Sequence, residues 1–130
     1  MYLIDTSAIL AHCLDEEGWD QVDFLLFERE TYVAAITWFE LRVGLKNTPD
    51  TNEIVRGYEK LVTGTIDLTH EIAVAAFELR QVSGIRIPTV DAVIAASAKV
   101  LGYELVHRDP HLGIIPARLL KQRMLPAKAK

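Results

Sequence analysis

The sequence predicts a single α/β domain with a mostly parallel sheet of four to five strands sandwiched by helices. Three observations predict it. Short, unbroken apolar runs such as Tyr2-Leu3-Ile4 read as strands buried on both faces, which is the habit of parallel sheets. These runs alternate with segments of helical periodicity, the order expected of βαβ units. The chain has 130 residues, half of them apolar, which is enough for one domain with a real core and short for two. The domain is expected to span residues 1–130.

The elements follow in order. Tyr2 to Ile4 forms the first strand, and Ser7 starts a helix because its hydroxyl can accept an orphan backbone N–H. Asp15 to Arg29 carries Trp19, Val22, Leu25 and Leu26 near helical spacing. Thr31 to Ile36 is rich in β-branched and aromatic residues and predicts a second strand. Thr37 to Leu45 predicts a helix, with Thr37 and Glu40 at capping-box spacing and Gly44 near the end. Thr48-Pro49-Asp50 breaks the chain before a helix over Asn52 to Leu61. Gly64 to Leu68 predicts a short third strand, and Thr69 opens a helix that ends near Ser83-Gly84. Pro88, a Thr89 cap and Asp91 mark the next helix start. Ala92 to Leu101 is so apolar that this helix is expected to be buried nearly all round, and Gly102 ends it. Tyr103 to Val106 is the fourth strand, Asp109-Pro110 turns the chain, and Gly113 to Leu120 is expected to hold a short edge strand.

Composition narrows the functional classes. No apolar run approaches the roughly 20 residues of a membrane span, and no basic region followed by a long apolar stretch marks a secretory signal. Cys13 is the only cysteine, so no internal disulfide can form, and a cytoplasmic location is expected. Cys13 reads as a small core residue. The net charge of −4 argues against nonspecific nucleic-acid binding. The charge is uneven, however. Asp15, Glu16, Glu17, Asp20, Asp23, Glu28 and Glu30 crowd the early helices, whereas after Asp109 come only Arg118, Lys121, Arg123, Lys128 and Lys130. That basic tail reads either as solvated surface or as a holder of phosphates.

Four acids stand at telling places. Asp5 ends the first strand, Glu40 opens the helix after the second, Asp91 lies in the first turn of the helix leading to the fourth, and Asp109 follows that strand. Each has an ordinary structural reading: a strand-end turn for Asp5, the capping box for Glu40, a helix N-terminus for Asp91 and a turn cap for Asp109. Topology joins them. In right-handed βαβ units helix starts lie at the same sheet edge as strand ends, so all four can reach one pocket. Clustered carboxylates raise one another's pKa and are poorly tolerated without a cation. Oxygen donors with no Cys or His pair suit Mg²⁺ or Mn²⁺, ions that typically work on phosphate substrates.

The motifs around these acids carry a family resemblance. Leu3-Ile4-Asp5-Thr6-Ser7-Ala8-Ile9 resembles the opening motif of PIN domains, and Ala35 to Leu45, with Thr37-Trp38-Phe39-Glu40-Leu41 inside it, resembles the second. Pro88-Thr89-Val90-Asp91-Ala92 and the residues to Ala98 resemble the third, and Val106-His107-Arg108-Asp109-Pro110-His111-Leu112 the fourth. The chain is similar to VapC toxins of toxin–antitoxin pairs. That resemblance implies a Mg²⁺-dependent endoribonuclease, silenced by a cognate antitoxin protein and commonly a homodimer. It implies Asp5, Glu40, Asp91 and Asp109 as catalytic and metal-holding residues. Thr6, Ser7 and Thr89 are candidates to hold water or phosphate oxygen, and Arg42 and Arg108 to touch phosphate of the RNA. One departure is His111, where many relatives carry an acid; Leu112 stands where they carry Phe.

The rival readings differ in class. A noncatalytic PIN-like module binding RNA or protein would lack some of the four acids. A phosphoacceptor domain would pair acids after the first strand, where Thr6 stands, and would need Asp67 to end the third. A glycine-rich nucleotide loop is absent from the sequence. Trp19, Val22, Phe24, Leu25 and Leu26 give the early helix more apolar surface than the core needs, so part of it is expected at a dimer or antitoxin interface.

Overall fold

A computed structural model describes residues 1–127. Five parallel strands run in the order β3-β2-β1-β4-β5: β1 (Tyr2–Ile4), β2 (Thr31–Ala34), β3 (Gly64–Ile66), β4 (Glu104–His107) and β5 (Gln122–Met124). Alternation along each strand splits the core in two. Ile4, Val33 and Val106 face α1 (Thr6–Cys13), α2 (Trp19–Glu28), α3 (Ala35–Gly44) and α4 (Thr51–Leu61). Leu3, Ala34 and Leu105 face α5 (His70–Ser83), α6 (Thr89–Leu101) and the short α7 (Pro110–Gly113). The sheet is therefore sandwiched, as the unbroken apolar runs predicted. Among the described residues no helix is long and apolar enough to cross a membrane.

The strand order places the candidate site. From β1 the chain moves outward to β2 and β3 with its helices on one face. It then returns to β4, on the other side of β1, with its helices on the opposite face. The crevice beyond the carboxyl ends of β1 and β4 is thus a topological switch point, where open α/β sheets build their sites. Asp5 leaves β1 there, its N–H donating to Val106 O at 2.9 Å.

Several boundaries differ from the expectations. β2 stops at Ala34 and α3 begins at Ala35, because Ile36 packs into the core as part of the helix. A short apolar run does not by itself choose between the two periods. Thr37 therefore lies inside α3, Ala34 caps the helix without a side-chain bond, and the capping box is not made. Glu40 stands in the second turn of α3. Ser7 does not cap α1; Asp5 does, accepting from Ser7 N at 3.1 Å. Thr89 is the first residue of α6, with Pro88 in the cap position and no side-chain cap bond. Tyr103 stays outside β4, since its N–H closes the end of α6 on Ala98 O at 2.9 Å. The edge strand is Gln122–Met124 rather than a segment of Gly113 to Leu120. There the Pro116 carbonyl accepts from Leu119 and Leu120 N–H and bends the chain, so that Ile115 and Leu120 both enter the core.

Three helix ends are as the sequence predicted: Thr69 caps α5, accepting from Ile72 N at 3.1 Å, and Gly84 and Gly102 take left-handed conformations after α5 and α6. Thr69→Ala should therefore lower stability by about 1 kcal/mol, and Thr69→Ser should restore most of it. Urea denaturation checks this; equal midpoints for all three proteins would exclude the cap.

Candidate metal centre

Asp5 is the most buried of the four acids, 4% exposed. Its Oδ2 accepts both from Ser7 N and from Ser7 Oγ, the latter at 2.5 Å. Burial pushes its pKa up, and the two Ser7 bonds oppose that rise by favouring the charged form. Ser7 Oγ also accepts from Arg108 N at 2.9 Å, so one hydroxyl ties the start of α1 to the loop after β4. Thr6, the next residue after Asp5, reaches α3 instead. Its Oγ1 lies 2.7 Å from Glu40 Oε1 and 3.1 Å from Thr37 Oγ1. A hydroxyl has one proton, and the carboxylate is the stronger acceptor. Thr6 therefore donates to Glu40 and leaves a lone pair for the Thr37 hydroxyl. Thr37 is fully buried.

Asp91, in the first turn of α6, is half-buried, and its pKa is pushed up to about 7. Desolvation is the largest cause. The charges of Asp109 and Asp5 follow, then a hydrogen bond shared with Asp109, then the charge of Glu40. Acids from three other segments thus act on the Asp91 carboxyl. Asp109 caps α7, its Oδ1 accepting from His111 N at 2.8 Å and facing His111 Nδ1 at 2.9 Å. The turn-cap reading of Asp109 and its place beside Asp91 hold together.

The supporting residues divide. His111 is exposed and paired with Asp109. Thr89 is exposed and lines a mainly apolar cavity of about 190 Å³ with Ala34, Ile36, Leu68, Val90 and Val93. Both arginines pair with other side chains of the protein. Arg108 Nη2 donates to Glu16 Oε1 at 2.7 Å, and its side chain is 7% exposed. Arg42 is drawn to α4 by Asn52 and Glu59, with a further bond to Trp38 O. In the basic tail, Arg123 pairs with Glu104 at 2.9 Å, and Lys128 and Lys130 lie outside the described residues. Two residues of the site's surroundings were not singled out by the sequence. Thr37 was read only as a cap, and His107 went unweighed although it stands within the fourth motif.

The donor set is all oxygen: four carboxylates, with hydroxyls behind two of them. Among the described residues no group of three or more His, Cys, Asp or Glu side chains is placed to hold a metal ion as it stands. The donors nevertheless fit a hard divalent cation, which would relieve the charge density around Asp91.

The sign of the pH effect follows from Asp91. Its native pKa, about 7, lies above the ordinary 3.8. Between those values the native state keeps a proton that the unfolded chain has released, so metal-free stability falls as pH rises through that window. Asp91→Asn should be more stable than the parent at pH 8 by roughly 2 kcal/mol, after allowance for solvent screening, with the difference gone near pH 4. Metal-free thermal melts across that range check this; parallel curves would refute it.

Comparison with known proteins agrees with this architecture. The PIN-domain family model matches residues 2–116. Among solved structures, the chain is similar to VapBC2 from Rickettsia felis bound to a promoter DNA fragment, with a TM-score of 0.75 at 18% identity. That match covers 96% of this chain and 98% of the other. It is similar also to a toxin–antitoxin complex from Klebsiella pneumoniae, with a TM-score of 0.72 at 23% identity over 89% and 93% of the two chains. FitAcB from Neisseria gonorrhoeae gives a TM-score of 0.63 at 24% identity, over 84% and 88%. No curated protein sequence matches. With the family model covering nearly the whole chain and four motif acids meeting at one sheet edge, the chain belongs to the PIN-domain family.

Proposed function

We propose that this protein is a Mg²⁺-dependent endoribonuclease, the toxin of a toxin–antitoxin pair, with Asp5, Glu40, Asp91 and Asp109 as its catalytic and metal-holding residues. The observation that supports the reading is the placement of acids from four segments at one sheet edge, where the charges of Asp109, Asp5 and Glu40 add to burial in raising the pKa of Asp91. A site that loads this much negative charge on one carboxyl is arranged for a cation. Mg²⁺, or Mn²⁺ in its place, would supply charge neutralisation at the phosphate and a lowered pKa for the attacking water.

The chain's own residues have distinct tasks. Ser7 donates twice to Asp5 Oδ2 and so favours its charged form against the burial that raises its pKa. Thr6 fixes the rotamer of Glu40 by donating to Oε1. Asp91 holds a proton in the bare site near neutral pH and must release it to serve as an anionic ligand. Asp109 keeps one oxygen on the α7 N-terminus, which fixes its carboxyl plane. The scissile bond is an RNA phosphodiester P–O bond, and water is the nucleophile.

The antitoxin partner is supported by the structural relatives, which are themselves toxin–antitoxin complexes. On α2, Val22, Leu25 and Leu26 are buried in the domain's own core, whereas Trp19, Phe24 and Phe27 remain exposed. We assign those aromatic residues to the antitoxin or homodimer contact.

Glu40→Gln tests the site most cleanly, because the capping-box alternative no longer applies. The amide keeps the bond from Thr6 and loses the charge. Folding should be almost unchanged, while Mg²⁺-dependent RNA cleavage should fall by two orders of magnitude or more. Millimolar Mn²⁺ should raise the melting temperature of the parent, through binding to the native state alone, and raise that of the variant less. Cleavage at the parent's rate by Glu40→Gln would remove Glu40 from the site. No thermal response of the parent to Mn²⁺ would reject the metal-dependent reading.

A further inference from the structure

We propose that His107 is a positioning residue for Asp109, setting the backbone that carries the fourth carboxylate, and that it does so in partnership with Gln122 of the edge strand.

The inference begins with a buried ring. His107 is fully buried at the end of β4, so both imidazole nitrogens need partners. Nε2 lies 2.6 Å from Gln122 Oε1. The amide of Gln122 is itself oriented, because its Nε2 donates to Ile115 O at 2.9 Å. Gln122 therefore presents its oxygen to the ring, and the imidazole proton sits on Nε2. Nδ1 is left bare and accepts from Asp109 N at 3.0 Å. A side chain accepting from the backbone two residues on closes a tight turn just where the chain leaves the sheet. Asp109 starts α7 from that turn, with its carboxyl already engaged by His111 N.

The tautomer of His107 is thus fixed from outside the site, and its consequence is delivered inside it. Gln122 stands in register beside Leu105 on β5, a strand that contributes no acid. Through the chain Ile115 O, Gln122, His107, Asp109 N, that strand reaches the switch-point crevice. Replacing the ring with an apolar side chain would leave the Asp109 N–H without this acceptor and free the turn. The inference rests on the proposed reading of Asp109 as a site carboxylate, and its test separates the two.

Three variants of the full chain carry the test. His107→Leu removes both bonds at similar bulk. His107→Asn keeps an acceptor close to the position of Nδ1. Gln122→Leu leaves the ring but frees its orientation. The first measurement needs no metal: the amide resonance of Asp109 and its hydrogen-exchange protection. The second is Mn²⁺ affinity by titration calorimetry. The third is the split of kcat against KM on one RNA.

In His107→Leu the Asp109 amide should lose protection at least tenfold and Mn²⁺ should bind about tenfold more weakly, the usual scale for groups that orient a ligand. The kcat should fall with KM nearly unchanged. His107→Asn should recover most of all three, and Gln122→Leu should fall between. If His107→Leu fails to fold, the His107→Asn and Gln122→Leu variants decide. Parent-like Asp109 protection and Mn²⁺ affinity in His107→Leu, or in Gln122→Leu where His107→Leu does not fold, would overturn the inference. Lost amide protection with parent-like Mn²⁺ affinity would sustain His107 as the residue that positions Asp109 and would reject Asp109 as a metal carboxylate.

Discussion

Like-charge repulsion at one edge of the sheet is the constraint on which the rest of this structure depends. Asp5, Glu40, Asp91 and Asp109 come from four segments, and the charges of the other three add to burial in pushing the pKa of Asp91 up to about 7. Such a cluster opposes folding unless something offsets it. Part of the offset is in the backbone. Asp5 and Asp109 are N-caps, and Asp91 lies in the first turn of α6, so three of the acids stand where helix N–H groups carry partial positive charge. The larger share is left to a cation in the proposed function.

A layer of polar groups stands behind the acids. Ser7 bonds Asp5 and links it to the Arg108 backbone, Thr6 joins Glu40 to buried Thr37, and His107 holds the Asp109 turn. They restrict where each carboxyl can point, which limits how closely like charges approach one another. The buried pair of Arg108 and Glu16 serves a different end. It fastens the loop after β4 to the segment between α1 and α2.

Some features were legible because they have local causes. The buried strand Tyr2–Ile4 shows in three successive apolar residues, and the α5 boundaries show in a Thr cap and a left-handed Gly84. Others were misread because a local signal had two meanings. Thr37 and Glu40 have the spacing of a capping box, yet α3 starts two residues before Thr37, and the same pair instead meets Thr6 across 31 and 34 residues of chain. The polar strand Gln122–Met124 has no apolar alternation to announce it, since it pairs on one side only. Gly113 to Leu120 looked strand-like because Ile115 and Leu120 are core residues, which a turn delivers as well as a strand does.

The sequence by itself determined the fold class, the alternation of strands and helices, and which four acids would end up at the carboxyl edge of the sheet. Those follow from periodicity and from the fixed direction of parallel βαβ units, both of which are properties of neighbouring residues. Only the tertiary structure decided what each side chain does once there. It joined Arg42 to Asn52 and Arg108 to Glu16, turned Glu40 toward Thr6, buried Thr37 and placed His107 between Asp109 and Gln122. The physical reason is that a hydrogen bond depends on distance and direction in space. Partners such as Ser7 and Arg108, 101 residues apart, leave no trace in the spacing of the chain.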